Sequence, residues 1–327
     1  MKRRCAILND YQHVALKMAD WSVLQNNVDI TVFDRHLGDD AGNAAALQDF
    51  DIVCAMRERT PFRRALLERL PKLRLLVTSA PRNPSIDLAA ARELGITVCG
   101  TGVFNHPTAE LVFGLMLALC RHLLQEDAAM RGNGPWQNSV GVDLMGRTLG
   151  VIGLGRLGIQ VAQIGRAFGM KPIAWSQNLT AERCAEVGAT LVDKDTLLKQ
   201  ADFVVICVNF SARTTGLIGA REFGLMKPSA YLINAARGPI VDSAALVEAL
   251  TSGRIAGAGL DVYDVEPLPP GHVMRNLPNT VLTPHLGYVT EDNYTTFFRD
   301  TVEDIRAWLD GKPIREVDPA IQIDRSK

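Results

Sequence analysis

The chain has 327 residues, 47% of them hydrophobic, with 35 basic against 36 acidic side chains for a net charge of −1. That length exceeds one ordinary core and suits two domains of about 150 residues each. The near-neutral balance gives no basic footprint for nucleic acid or an anionic membrane, and the longest apolar stretch, Leu111 to Leu119, is about half of the ~20 residues a membrane span requires.

The basic start Met1-Lys2-Arg3-Arg4 leads into residues 5–8, an apolar run too short for a signal peptide and read as a strand. Helix-period and apolar segments then alternate. A helix through Trp21 and Leu24 is followed by a strand at 30–33, a helix at 44–50 and a strand at 52–56. A helix from Pro61 to about Leu70, a strand at 73–78, a helix at 86–94 and a strand at 96–98 continue the rhythm. This alternation predicts a parallel sheet with helices on both faces, and such sheets bind ligands beyond the carboxyl ends of their strands. The candidate contacts are therefore Arg57, Glu58 and Arg59 after the third strand, and Ser79, Ala80, Pro81, Arg82 and Asn83 after the fourth. Arg82 and Asn83 could equally cap the next helix; a binding role would run chiefly through backbone N–H groups facing a cleft between domains.

Gly100-Thr101-Gly102 reads as a flexible link. Thr108 is a plausible N-cap, with Glu110 in the first turn, for a long apolar helix over 109–124 that must be covered by a domain or a subunit. Residues 131–147 are rich in Gly and polar side chains and predict a long loop or arm, whose Trp136 is expected to pack on a partner subunit or on the second domain.

Residues 148–176 run apolar strand, Gly153-Leu154-Gly155-Arg156-Leu157-Gly158, helix-period segment, apolar strand. That context separates a dinucleotide turn from a chance G-x-G-x-x-G or a tight βα turn that binds nothing. Gly153 permits the tight turn, Gly155 lets a pyrophosphate approach the backbone, and Gly158 lets helix and strand close up. The helix N-terminus offers N–H groups and the positive end of its dipole to the anion. Such sites usually carry an acid about 20 residues on, for the adenosine ribose. Here the second strand ends Trp175-Ser176-Gln177-Asn178 without a carboxylate. Those three polar side chains can donate to a 2′-phosphate, although the nearest later basic residue is Arg183; NADP is permitted and NAD is not excluded.

Further strands are expected at 203–208, 230–234, 256–262 and 281–283, and helices at 181–186, 196–200 and 243–250. A last helix over 294–309 carries one apolar stripe of Phe298, Val302, Ile305 and Leu309. The six cysteines (Cys5, Cys54, Cys99, Cys120, Cys184 and Cys207) mostly lie within apolar runs without a C-x-x-C pair. They predict buried free thiols in a reducing cytoplasm, and neither they nor the histidines show zinc-ligand spacing.

Arg237, Glu266 and His285 each lie at or beyond a strand's carboxyl end in this second half. Hydride transfer at an alcohol carbon needs a group that exchanges the hydroxyl proton, for which His is suited, and a cation for the substrate's carboxylate, for which Arg has the right fork. A carboxylate beside an imidazole orients it and favours its protonated form. Each also has a plainer reading: a core histidine bonded to a carbonyl, a surface arginine, and an acidic turn formed by Asp264, Glu266 and Pro267.

With Gly153–Gly158, Met226-Lys-Pro-Ser-Ala-Tyr-Leu-Ile-Asn-Ala-Ala-Arg-Gly-Pro-Ile-Val-Asp242, Gly259-Leu-Asp-Val-Tyr-Asp-Val-Glu-Pro-Leu268 and Thr283-Pro-His-Leu-Gly287 in order, the chain resembles the D-isomer-specific 2-hydroxyacid dehydrogenase family over nearly its whole length. The resemblance implies an NAD(P)-dependent oxidoreductase interconverting a small 2-oxo acid and its D-2-hydroxy acid. It implies two doubly wound parallel-sheet domains: a Rossmann cofactor domain over 101–289, inserted in a flavodoxin-like substrate domain of residues 1–100 and 290–327. His285 would be the acid/base, Glu266 its partner and Arg237 the anchor of the substrate's carboxylate and carbonyl. Gly153, Gly155, Arg156, Leu157, Gly158, Ser176, Gln177, Asn178, Ala235, Ala236 and Asp261 would hold the cofactor, Asp261 near the nicotinamide amide. Arg57, Ser79, Ala80 and Arg82 would meet substrate. A cytoplasmic homodimer is implied, joined through the long helix and the Trp136 arm. Two features depart from the family: no acid stands at the ribose, and Pro81 in the substrate loop, where many members have a Gly, lacks an N–H. A nucleotide-sensing binding protein resembling a corepressor is the rival on this scaffold. A methyltransferase-type fold using S-adenosylmethionine is weaker, since it would leave the acid/base residues without a role.

Overall fold

In the computed structural model, which describes residues 2–317, the chain divides into two compact units, one of residues up to Phe104 together with Thr290 onward, the other Asn105–Val289. The first holds β1 (Arg3–Ile7), β2 (Val28–Val32), α1 (Asp40–Leu47), β3 (Ile52–Ala55), α2 (Arg64–Leu67), β4 (Leu75–Thr78), α3 (Leu88–Glu93) and β5 (Thr97–Gly100). Its five strands are parallel in the order β2-β1-β3-β4-β5. β3 and β4 are buried at every residue, as unbroken apolar runs must be when helices cover both sheet faces. Strand order reverses between β1 and β3, so the loops after them, at Asn9 and Arg57, border the crevice where such sheets take ligands.

Two expectations fail here. The helix expected through Trp21 shrinks to a single 3-10 turn, Trp21–Leu24. Upstream, the Asp10 carboxylate accepts the N–H groups of Val14 and Ala15, and the Trp21 indole donates to the Ala15 carbonyl. A side chain that bonds nearby amides offers the backbone an alternative to helix. The link at Gly100–Gly102 is pinned rather than flexible: the Thr101 hydroxyl accepts the Ala80 N–H at 2.8 Å, and Gly102 N–H donates to Asp300 at 2.8 Å.

The second unit holds α4 (His106–Cys120), α5 (Leu123–Arg131), β6 (Thr148–Ile152), α6 (Arg156–Ala167), β7 (Lys171–Trp175), α7 (Ala181–Ala185), β8 (Thr190–Leu191) and α8 (Lys194–Gln200). β9 (Phe203–Ile206), α9 (Ala220–Leu225), β10 (Tyr231–Asn234), α10 (Ser243–Thr251), β11 (Gly257–Leu260) and β12 (Thr280–Leu282) complete it. All seven strands are parallel, in the order β12-β11-β10-β9-β6-β7-β8, which reverses between β6 and β9. α4 buries Ala109, Val112 and Met116 in the same core as Leu149, Val151 and Val161, so the covering its apolarity demands is found within this unit. It starts three residues earlier than its composition suggests, because Pro107 with its preset φ suits a first turn. Thr108 therefore lies inside the helix and donates to the Gly287 carbonyl at 2.9 Å instead of capping. The chain breaks after Cys120, where His122 takes a φ of +52°, and α5 leaves at 63° to α4. Residues 132–147 form neither helix nor strand, as their composition predicts, and Trp136 stays 75% exposed. β8 and α9 were not anticipated: elements this short carry too little periodicity. No single helix among the described residues is long and apolar enough to cross a membrane.

The last helix, α11 (Glu291–Leu309), returns to the first unit and packs on β4. Its Asp304 is fully buried and bound at 2.9 Å by Arg315, which also reaches Glu303 and the Asp300 carbonyl. Burial outweighs Arg315, and with Asp300 and Glu303 nearby the Asp304 carboxyl is pushed up to about 7. An acid that holds its proton more tightly folded than unfolded stabilises the fold fully below its unfolded value near 4, and that contribution is lost as pH rises to about 7. D304N should flatten the decline in thermal stability across that window; a melting profile with wild-type slope would contradict the assignment.

Candidate active site

The glycine turn sits at the reversal of the second sheet. Gly153, at φ +97°, follows β6, and a Cβ there would lie 2.8 Å from the Val208 amide nitrogen just past β9. A Cβ on Gly158 would collide with the Gly153 carbonyl, so α6 can approach β6 only because that residue is glycine. Gly155 is different: a Cβ there would meet nothing within 4 Å. It is also the N-cap of α6 and supplies no side-chain cap, and the first intrahelical bond of this turn runs from Ile159 N–H to Gly155 O. The N–H groups of Arg156, Leu157 and Gly158 thus have no carbonyl of their own helix, and they follow directly on the open space at Gly155, which fits a pyrophosphate. Beyond β7, the side chains of Ser176, Gln177 and Asn178 make no hydrogen bond within the described residues, and no carboxylate stands among them.

Three strand ends carry the titratable groups. After β10 the buried Asn234 folds the turn back: its side-chain NH2 donates to the Arg237 carbonyl at 3.0 Å and its side-chain oxygen accepts the Ala236 N–H at 3.1 Å. This places half-buried Arg237, with Ala235 and Ala236, at the strand's end. After β11, Glu266 Oε1 accepts the Tyr263 N–H at 2.9 Å, and Oε2 lies 2.6 Å from His285 Nδ1. Burial pushes the Glu266 carboxyl up, but its hydrogen bond to His285, the imidazole's charge, the Tyr263 N–H and Arg237 together hold it below the usual carboxylate range. An ionised carboxylate only accepts, so Nδ1 carries a proton and Nε2 is left to exchange one with a ligand.

His285 has a φ of +57°, an uncommon conformation that the neighbouring chain must hold. Asp261 does this. Fully buried after β11, it accepts the Thr283 hydroxyl at 2.6 Å, Leu286 N–H at 2.7 Å and Gly287 N–H at 2.9 Å, bonds on both sides of the histidine. Burial pushes its own carboxyl up against those three donors and the nearby imidazole. The carboxylate expected near a nicotinamide amide is therefore engaged by the histidine's own loop. Tyr288 adds an edge-on ring 5.5 Å from the imidazole.

In the first unit, the loops after β3 and β4 are knitted together. Ser79 Oγ accepts the Arg57 N–H at 2.8 Å, and the Asn83 NH2 donates to the Arg57 carbonyl at 2.7 Å. Arg57 and Ala80 both have positive φ, +50° and +74°. Arg82 is partly exposed. The amides of Ser79 and Ala80 already donate to the Ala55 carbonyl and the Thr101 hydroxyl, which fixes the start of the loop after β4.

A family model described as D-isomer specific 2-hydroxyacid dehydrogenase, NAD binding domain, matches residues 113–287, over half of the chain. The chain belongs to this family. The glyoxylate reductase of Thermococcus litoralis is 42% identical over 237 residues, 69% of this chain and 71% of that one. The glyoxylate reductase of Aeropyrum pernix is 38% identical over 256 residues, 76% of each chain. Among solved structures, a phosphoglycerate oxidoreductase from Vibrio cholerae matches with a TM-score of 0.89 at 30% identity, covering 94% of this chain and 99% of that one. In this 2-hydroxyacid dehydrogenase the matched region contains every residue of the Arg237, Glu266 and His285 set.

Sequence reasoning overlooked two supports of the set. Asn234 had a readable signal, an amide at a strand's end before a turn. Tyr263 had less, since the Thr283 carbonyl that its hydroxyl reaches lies beyond another strand.

Proposed function

We propose that this family member reduces a small 2-oxo acid to its D-2-hydroxy acid, and the reverse, with NAD(P) as hydride carrier. The 2.6 Å contact between His285 Nδ1 and ionised Glu266 carries the reading. When bound, the nicotinamide supplies or accepts the hydride. In reduction, protonated His285 gives its Nε2 proton to the oxygen of the ketone as the carbonyl carbon is reduced, and Glu266 stabilises the imidazolium beforehand. Arg237, presented by the Asn234 turn, holds the substrate carboxylate through its fork of donors. Arg57, Ser79, Ala80 and Arg82 are the proposed substrate contacts of the first unit. The open space at Gly155 and the first amides of α6 would hold the pyrophosphate, Ser176, Gln177 and Asn178 the adenosine ribose, with NAD and NADP both accommodated.

The deciding experiment is NAD(P)H oxidation with glyoxylate, hydroxypyruvate and pyruvate, run with each nucleotide. Turnover is expected; tight nucleotide binding without turnover across the panel would favour a nucleotide-sensing binding protein. The exposed apolar side chains of α5 and the arm, among them Leu123, Leu124, Met130, Trp136, Val140 and Met145, support a homodimer joined there. Sedimentation as a monomer would overturn it. Six free, buried cysteines support a reducing cytoplasmic setting, which recovery in a membrane or secreted fraction would contradict.

A further inference from the structure

Tyr263 touches all three strand-end loops of the site. Its N–H donates to Glu266 Oε1 at 2.9 Å. Its hydroxyl reaches the Leu260 carbonyl at 3.2 Å and the Thr283 carbonyl at 3.0 Å, tying the end of β11 to that of β12. The Thr283 carbonyl is also the acceptor for the His285 N–H, at 3.1 Å. Gly238, next to Arg237, lies so close that a Cβ there would collide with the Tyr263 carbonyl. One side of the Tyr263 residue borders a cavity of about 90 Å3 lined in part by Leu246, Val265 and Met274.

We infer that Tyr263 is a positioning residue for the Glu266–His285 couple: its backbone fixes the carboxylate while its hydroxyl fixes the carbonyl that anchors the histidine. Burial, with Asp261 and Glu266 close by, pushes the phenol above its ordinary range, so it remains a neutral donor throughout the working pH range. This role rests on the dehydrogenase reading above, and it assigns the hydroxyl a function that phenylalanine could not supply.

The test is Y263F, which removes only the oxygen and keeps the ring and the N–H. With the full-length protein and the best 2-oxo acid of the panel, kcat should fall about three- to tenfold, the range of one net hydrogen bond, with KM for NAD(P)H unchanged. The downfield proton resonance of His285 Nδ1–H, a signature of a short bond to a carboxylate, should move upfield or broaden in Y263F. In an E266Q background, adding Y263F should lower kcat by less than about twofold, because the couple it positions is already broken. Wild-type kcat and an unmoved resonance would overturn the inference, as would losses that multiply in the double variant. The resonance is read without turnover, so an inactive wild-type protein would defeat the dehydrogenase reading while the positioning role was still decided.

Discussion

H285N is expected to lower kcat for 2-oxo acid reduction by about 10²- to 10⁴-fold, the usual contribution of a positioned acid or base, while NAD(P)H affinity stays within about twofold. Asparagine is the informative replacement. Like histidine it tolerates the left-handed conformation that residue 285 adopts at φ +57°, so the loop bonded to Asp261 need not rearrange. Its side-chain NH2 can stand in for Nδ1 against Glu266 Oε2, so the carboxylate keeps a partner on each oxygen. What asparagine lacks is a titrating atom at the Nε2 position. Stopped-flow reduction paired with fluorescence titration of NAD(P)H separates the two quantities, and equal loss of both would remove His285 from the chemistry.

G155A and G158A should fail in different ways. At Gly158 a Cβ collides with the Gly153 carbonyl and comes within 3.1 Å of Val151, both parts of the β6 turn. Backbone cannot step aside as a side chain can, so α6 must lift from the sheet, at about 1–3 kcal/mol for an overpacked contact. Both melting temperature and NAD(P)H affinity should fall. At Gly155 a Cβ meets no protein atom within 4 Å, so stability should hold while the added methyl occupies the space left for the pyrophosphate and weakens nucleotide binding at least tenfold. A G155A protein that binds NAD(P)H normally would place the anion elsewhere.

The glycine turn and the strand-end residues could be read from the sequence because their signals are local. Gly153, Gly155 and Gly158 stand at fixed offsets between two apolar runs, and Arg237, Glu266 and His285 each follow a run that could only be buried strand. The same locality explains the misses. Nothing within a few residues of Trp21 or Thr108 indicates that Asp10 will take the amides of Val14 and Ala15, or that the Thr108 hydroxyl will find Gly287, 179 residues away. Nor does the sequence around Ala80 indicate that its amide will meet Thr101, which belongs to the next strand's end.

Sequence alone determined the alternation of strands and helices, the anion-binding turn and the three groups able to carry hydride-transfer chemistry, since burial periodicity and glycine's conformational freedom act within one or two turns of chain. Tertiary structure decided which of those groups are coupled. Glu266 and His285 lie 19 residues apart, and Asp261 and Gly287 lie 26 apart. They meet because β11 and β12 pair in parallel and release their loops at the same sheet edge. Hydrogen bonds act only at contact, so neither the bond between the carboxylate and Nδ1 nor the held imidazole exists until that edge is assembled.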